Sequence, residues 1–370
     1  MSTVALAHHW LVSYRGGERV LSEFIDLFPS ASISTLVCDP KFLPPEIVSR
    51  VKFMSFLQSI PVARRFYKQF LVLHPFAFSR LRVPSGTSLI LSSDASIVKG
   101  LRKPPGAKQV CYCHSPPRYL WGMQEEYIKH SGYLGALGGA VFRSIVPYVR
   151  SADKRSADNV DSFIANSNFV RQRIRRCYNR DSTVIFPPVS VEDFESDRPF
   201  SDSYLVVSQL VPYKRVDIAV EAFNIMAKPL VVIGEGSELE RLRRMAGPTV
   251  QVLGKQPFSI VKKHFETCRA FINPQIEDFG IAAVEAQASG RPVIAYRAGG
   301  ACETVIEGVT GVFFDEQTSD SLINSVRNFE TIDVSRFVSC RGNSERFNRD
   351  RFKTEIMAFL KANYSSELGF

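Results

Sequence analysis

Two carboxylates eight positions apart, Glu277 and Glu285, stand in the most chemically suggestive stretch of this 370-residue chain. The apolar run Ala270 to Asn273 reads as a strand, Gly280 turns the chain, and small residues from Ile281 onward read as a helix ending at Ser289-Gly290. The amides around Phe279, Gly280 and Ile281, next to Asp278, would then be first-turn donors, suited to sugar hydroxyls or phosphate oxygens. Glu277 precedes that helix. Glu285 lies inside it on an otherwise apolar surface, where a carboxylate needs a partner. By residue type alone, a helix-start acid and a helical Glu paired to Lys or Arg fit equally well.

Further candidates also follow strands. Arg15-Gly16-Gly17-Glu18 opens a helix, and its glycines admit either a close diphosphate or a plain turn. His114 ends the strand Val110 to Cys113, a position where imidazoles commonly make structural hydrogen bonds. In Ser208-Gln209-Leu210-Val211-Pro212-Tyr213-Lys214-Arg215, the cations either oppose charge on a departing group or form a solvated helix start. Gly234-Glu235-Gly236-Ser237 and Gly254-Lys255 also suit tight turns. No Asp-x-Asp pair follows a strand, and the seven cysteines include no Cys-x-x-Cys pair, so neither a metal site nor a disulfide framework is expected.

The elements that must position these residues are short, continuously apolar runs separated by stretches of helical spacing. Strands are expected at 4–7, 32–37, 88–92, 109–113, 162–165 and 183–186, then at 204–208, 230–233, 250–253, 270–273, 292–295 and 312–314. Continuous apolar character means burial on both faces, as in a parallel sheet covered by helices. The expected fold is α/β, with two doubly wound Rossmann-like domains facing across a cleft. Residues 1–190 would form the first domain and 200–346 the second, joined by the proline- and acid-rich Pro187 to Pro199. An amphipathic helix over 347–362 is expected to pack back onto the first domain.

Hydrophobic residues make up 45% and charged residues 22%, which excludes disorder, collagen and coiled coil. The first ten residues have no basic region before their apolar stretch, and the longest apolar run, Gly132 to Val149, is broken by Arg143 and Pro147. A cytoplasmic location is expected. Residues 1–185 hold 25 Lys and Arg against 12 Asp and Glu, whereas the rest hold 21 against 25. Arg64, Arg65, Lys68, Arg80 and Arg82 flank Phe66, Tyr67, Phe70, Phe76 and Phe78, a mixture that suits either a membrane interface or a core with a solvated basic face. No nucleic-acid-binding module is visible, so nucleic acid is not an expected partner.

The full context Asn273 to Gly290 resembles the E-x7-E motif of retaining glycosyltransferases with the GT-B fold. The chain is similar over nearly its full length to glycosyltransferase family 4, especially bacterial mannosyltransferases of O-antigen and exopolysaccharide synthesis. The resemblance implies that Glu277 contacts the donor sugar and Glu285 the nucleotide ribose. It places His114 beside the anomeric centre, the Gly16-Gly17 loop at the diphosphate, Lys214 at the departing nucleoside diphosphate, and Gly254 near the base. Asp278, Phe279, Gly280, Ile281 and Arg215 fall in the same substrate-binding segments. Gln209 stands where the family usually has Arg, so the lost charge would come from Arg215 or a first-domain arginine. The implied activity is retaining transfer of a hexose, mannose from GDP-mannose, to a lipid-linked oligosaccharide in bacterial surface polysaccharide synthesis. The enzyme would need neither metal nor cofactor, and would sit peripherally on an anionic membrane surface at the inner face of the cytoplasmic membrane. A nucleotide-sugar 2-epimerase of the same fold and a non-catalytic basic protein binding membrane or nucleic acid are the alternatives.

Overall fold

The computed structural model describes residues 4–130 and 135–369. Met1 to Thr3 and Gly132 to Leu134 of the longest apolar run lie outside the described residues. No helix among them is long and apolar enough to cross a membrane. The chain forms two compact units, residues 1–188 with 350–370, and residues 189–349.

The first unit carries seven parallel strands: β1 (Val4–His8), β2 (Ile33–Thr35), β3 (Val51–Met54), β4 (Leu89–Asp94), β5 (Lys108–Cys113), β6 (Ser162–Ala165) and β7 (Ser182–Val184). Their order is β3-β2-β1-β4-β5-β6-β7. Every residue of β1 and β4 is buried, as their continuous apolar runs require. The strand missed by sequence reading is β3, which alternates half-buried and exposed positions at the sheet edge.

The helix Gly16–Leu27 buries Val20, Leu21 and Phe24 against Leu6, Leu89 and Tyr112. The last helix, Arg349–Leu368, adds Phe352, Ile356, Leu360 and Tyr364 to this core, a four-residue spacing that keeps them on one face. Phe352 lies 6.0 Å from Phe24 and 5.7 Å from Tyr112, centroid to centroid. Phe347, read from the sequence as part of this helix, instead precedes it in a tight turn of the second unit.

The second unit carries β8 (Tyr204–Val207), β9 (Leu230–Ile233), β10 (Val250–Gly254), β11 (Phe271–Asn273), β12 (Val293–Tyr296) and β13 (Gly311–Phe314), ordered β10-β9-β8-β11-β12-β13 and again all parallel. Residues 189–199 do not behave as a free linker. Val191 and Phe194 are buried, and Phe194 packs edge-on against Phe258 and Phe265.

In each unit the chain winds outward from a central pair, β1 and β4 in the first and β8 and β11 in the second. The loops leaving the carboxyl ends of such a pair diverge and open a crevice, where ligands of doubly wound sheets bind.

Candidate functional site

The clearest constellation lies in the second unit, on the loops leaving β8 and β11. After β8 the chain runs through Ser208 to Val211, makes one turn at Pro212–Lys214, and reverses at Arg215 (φ 50°) into the helix Val216–Met226. A non-glycine residue held in that left-handed region costs on the order of 1 kcal/mol, so the loop shape is imposed by its surroundings. This turn buries Lys214, which is 9% exposed. Its Nζ donates to Glu277 Oε1 at 2.6 Å.

Glu277 sits in the loop after β11. The same Oε1 accepts a second bond, from Gln275 Nε2 at 2.9 Å, and Gln275 Oε1 accepts from the Ser208 hydroxyl at 3.0 Å. A cation and a carboxylate thus meet where the two sheet halves diverge. A ligand phosphate there would face the ammonium and a sugar hydroxyl the carboxylate.

Gly280, at φ 96°, starts the eight-residue helix Ile281–Ala288. A left-handed entry of this kind favours glycine. Phe279 is buried against Phe347, with centroids 5.4 Å apart, which fixes the angle of entry. Glu285, 7% exposed, lies in the second turn of this helix. Asp278 is half-buried beside Glu277. The loop after β12 lies on this backbone, where the Gly300 amide donates to the Glu277 carbonyl at 2.8 Å.

The loops after β9 and β10 brace the one after β8. Leu210 N–H donates to Glu235 O at 2.9 Å, and Gly234 N–H to Gly254 O at 3.0 Å. A Cβ on Gly234 would fall 1.8 Å from the Ser208 carbonyl oxygen, so only glycine allows this approach. Gln209 is exposed on the braced loop, and the Arg215 guanidinium is engaged by Asp217 of its own helix at 3.3 Å.

In the first unit, Gly16, Gly17 and His114 gather at the β1–β4 divergence. His114 Nε2 lies 2.7 Å from the Ser93 hydroxyl, and a methyl group on Gly17 would touch both His8 and His114, at 3.4 and 3.5 Å. Sequence reading assigned no role to their neighbours. Glu18 is buried in the first turn of the Gly16–Leu27 helix, where Oε2 accepts the Arg15 N–H at 2.9 Å. Burial pushes its carboxyl up, but His8, His9 and that N–H outweigh it and hold the group down at about 2. Burial, reinforced by His8, holds His9 down at about 3, and its Nδ1 donates to the Ser93 carbonyl at 3.3 Å. The available signal for His8 and His9 was their place at the carboxyl end of β1. For Gln275 it was only its place in the loop just after the strand expected at 270–273.

Residues 195–337 match the family model of glycosyl transferases group 1. A GDP-mannose-dependent alpha-(1-6)-phosphatidylinositol monomannoside mannosyltransferase of Mycolicibacterium smegmatis is 28% identical over 221 residues, covering 51% of this chain and 58% of that protein. An uncharacterized glycosyltransferase of Methanocaldococcus jannaschii is 27% identical over 174 residues, covering 46% and 49%. The chain therefore spans only about half the length of these curated relatives. Among solved structures, Anabaena HepE in complex with UDP superposes with a TM-score of 0.70 at 16% identity, covering 98% of this chain and all of that one. Sucrose-phosphate synthase of Thermosynechococcus elongatus superposes at 0.67 and 17% identity, covering 98% and 99%. Most of the second unit thus matches the model of glycosyl transferases group 1, in a chain of GT-B fold that resembles mannosyltransferases.

Proposed function

We propose that the protein is a retaining glycosyltransferase that moves mannose from GDP-mannose to a lipid-linked saccharide. The observation that carries this reading is the contact between Lys214 and Glu277, made where β8 and β11 diverge and inside the segment that matches glycosyl transferases group 1. In the transfer, the bond from the anomeric carbon to the diphosphate oxygen breaks. The acceptor oxygen bonds to that carbon, and its proton passes to the oxygen of the departing diphosphate. Negative charge grows on the departing diphosphate, which Lys214 and first-turn amides oppose without a divalent ion. Glu277 holds the sugar, Glu285 the ribose, and His114 with the Gly16-Gly17 amides serves the sugar and diphosphate. Mannose and GDP are favoured by the relatives that are GDP-mannose-dependent.

The lipid acceptor and an anionic membrane surface are favoured by residues 56–82 of the first unit. Phe56, Val62, Val72, Leu73 and Phe76 are exposed there, interspersed with exposed Arg64, Arg65, Lys68, Arg80 and Arg82. Apolar groups that enter the interface and cations that meet lipid phosphates are what such a surface selects.

Thermal unfolding with a panel of GDP- and UDP-sugars tests the donor. A ligand at 100 times its Kd adds about 2.7 kcal/mol, so GDP-mannose should raise Tm by about 5 °C or more. A panel in which no nucleotide sugar shifts Tm would contradict the reading.

A further inference from the structure

We infer that Gln275 is a positioning residue that fixes the Glu277 carboxylate before any donor arrives. This rests on the reading of Glu277 as the group that holds the donor sugar. Gln275 is 3% exposed and touches both central loops at once, through Ser208 Oγ on one side and Glu277 Oε1 on the other. Its orientation is not free. A carboxylate only accepts, so the Gln275 NH2 must face Glu277 and its carbonyl must face the Ser208 hydroxyl. The hydroxyl's other acceptor, the Gln209 carbonyl at 3.3 Å, is the longer contact.

Both side-chain donors to the Glu277 carboxylate, Lys214 and Gln275, fall on Oε1, which leaves Oε2 for a ligand hydroxyl. The two anchors differ in what a donor does to them. A diphosphate competes for the Lys214 ammonium and can draw it off Oε1. Gln275 carries no charge and is buried, so a diphosphate attracts it far less than it attracts the Lys214 ammonium. It therefore keeps Glu277 in place while Lys214 changes partner. The residue thus bears on how well the sugar is held and not on how well the nucleotide is held.

The test is calorimetric titration of the full-length chain with GDP-mannose and UDP-glucose, each against its parent diphosphate. Gln275→Met keeps the volume and removes the donor. It should lose about tenfold in affinity for the nucleotide sugar that wild type binds, the usual effect of deleting a hydrogen bond to a charged group, with affinity for the diphosphate within about twofold. Equal losses for sugar nucleotide and diphosphate would mean a merely structural role, and no loss for either would mean no role; both overturn the proposal. Should Gln275→Met fold poorly, Ser208→Ala carries the test, since its half-exposed hydroxyl is dispensable for packing. It should show the same selective loss at about threefold, and, where Gln275→Met does fold, the double variant should lose no more than Gln275→Met alone. Full additivity, or a Ser208 variant identical to wild type, would break the chain of contacts. Glu277→Ala separates the two readings. If it binds the nucleotide sugar as wild type does, the assignment of Glu277 fails. If it loses affinity while Gln275→Met and Ser208→Ala do not, only the proposal for Gln275 fails.

Discussion

In the proposed transfer Glu277 and Lys214, which touch in the structure, act at different moments, and their variants should differ accordingly. Lys214→Met should lower kcat by about 100-fold, because the charge it opposes develops only as the diphosphate departs. Glu277→Ala should remove most transfer while leaving GDP affinity nearly unchanged, since a misplaced sugar carbon costs rate without touching the nucleotide. Steady-state kinetics on both variants, with GDP titration as control, separates the two effects. The first unit offers a pH prediction. Burial holds His9 down at about 3 and His74, whose Nε2 hydrogen-bonds the Tyr67 carbonyl, at about 4. Both are neutral when folded but take up a proton below about 6.5 when unfolded. Their contribution is therefore complete above pH 6.5 and lost as pH falls through 6.5 toward the folded values, at about 2 kcal/mol for each by pH 5. Tm should drop between pH 7.5 and 5, and His9→Asn should flatten that slope; a parallel slope in the variant would refute it. Lys214 and Glu277, which the structure brings together, were singled out in the sequence by their place after strands and by the resemblance of their segments to a known motif. Gln275 was not, since its role depends on Ser208, 67 positions away and brought near only by the pairing of β11 with β8.

At the scale of elements, the site depends on loops packed closer than side chains permit. Gly234→Ala should push the β9 loop off Ser208 and disorder the turn that holds Lys214. A loss of several kcal/mol is expected, on the order seen for overpacked interiors, together with lost GDP binding. A variant with wild-type Tm and GDP affinity would show that the two loops move independently. The buried strands were readable because a parallel sheet covered on both faces leaves continuous apolar runs. The edge strand β3 was not, because Val51-Lys52-Phe53-Met54 faces solvent at alternate positions and shows no such run. Residues 189–199 misled for the opposite reason. Their proline and acid content suggests a linker, but the single aromatic Phe194 anchors them between Phe258 and Phe265.

Across the whole molecule, charge divides between the units. Residues 1–188 with 350–370 hold 28 Lys and Arg against 15 Asp and Glu, and residues 189–349 hold 18 against 22. Replacing Arg64, Arg65 and Lys68 with Glu should weaken binding to anionic vesicles, since each basic group near such a surface contributes about 1 kcal/mol. Wild-type binding should weaken with added salt, and GDP affinity should be the same in variant and wild type. Vesicle binding unaltered in the triple variant would leave this basic face merely solvated. The whole account meets its most direct test in one assay: incubation of radiolabelled GDP-mannose with the protein and bacterial membranes in excess EDTA, followed by extraction and counting of the lipid fraction. The account predicts label in the lipid fraction with wild type and almost none with Glu277→Ala. No label with wild type when the panel shows GDP-mannose bound, or equal label with both proteins, would contradict it.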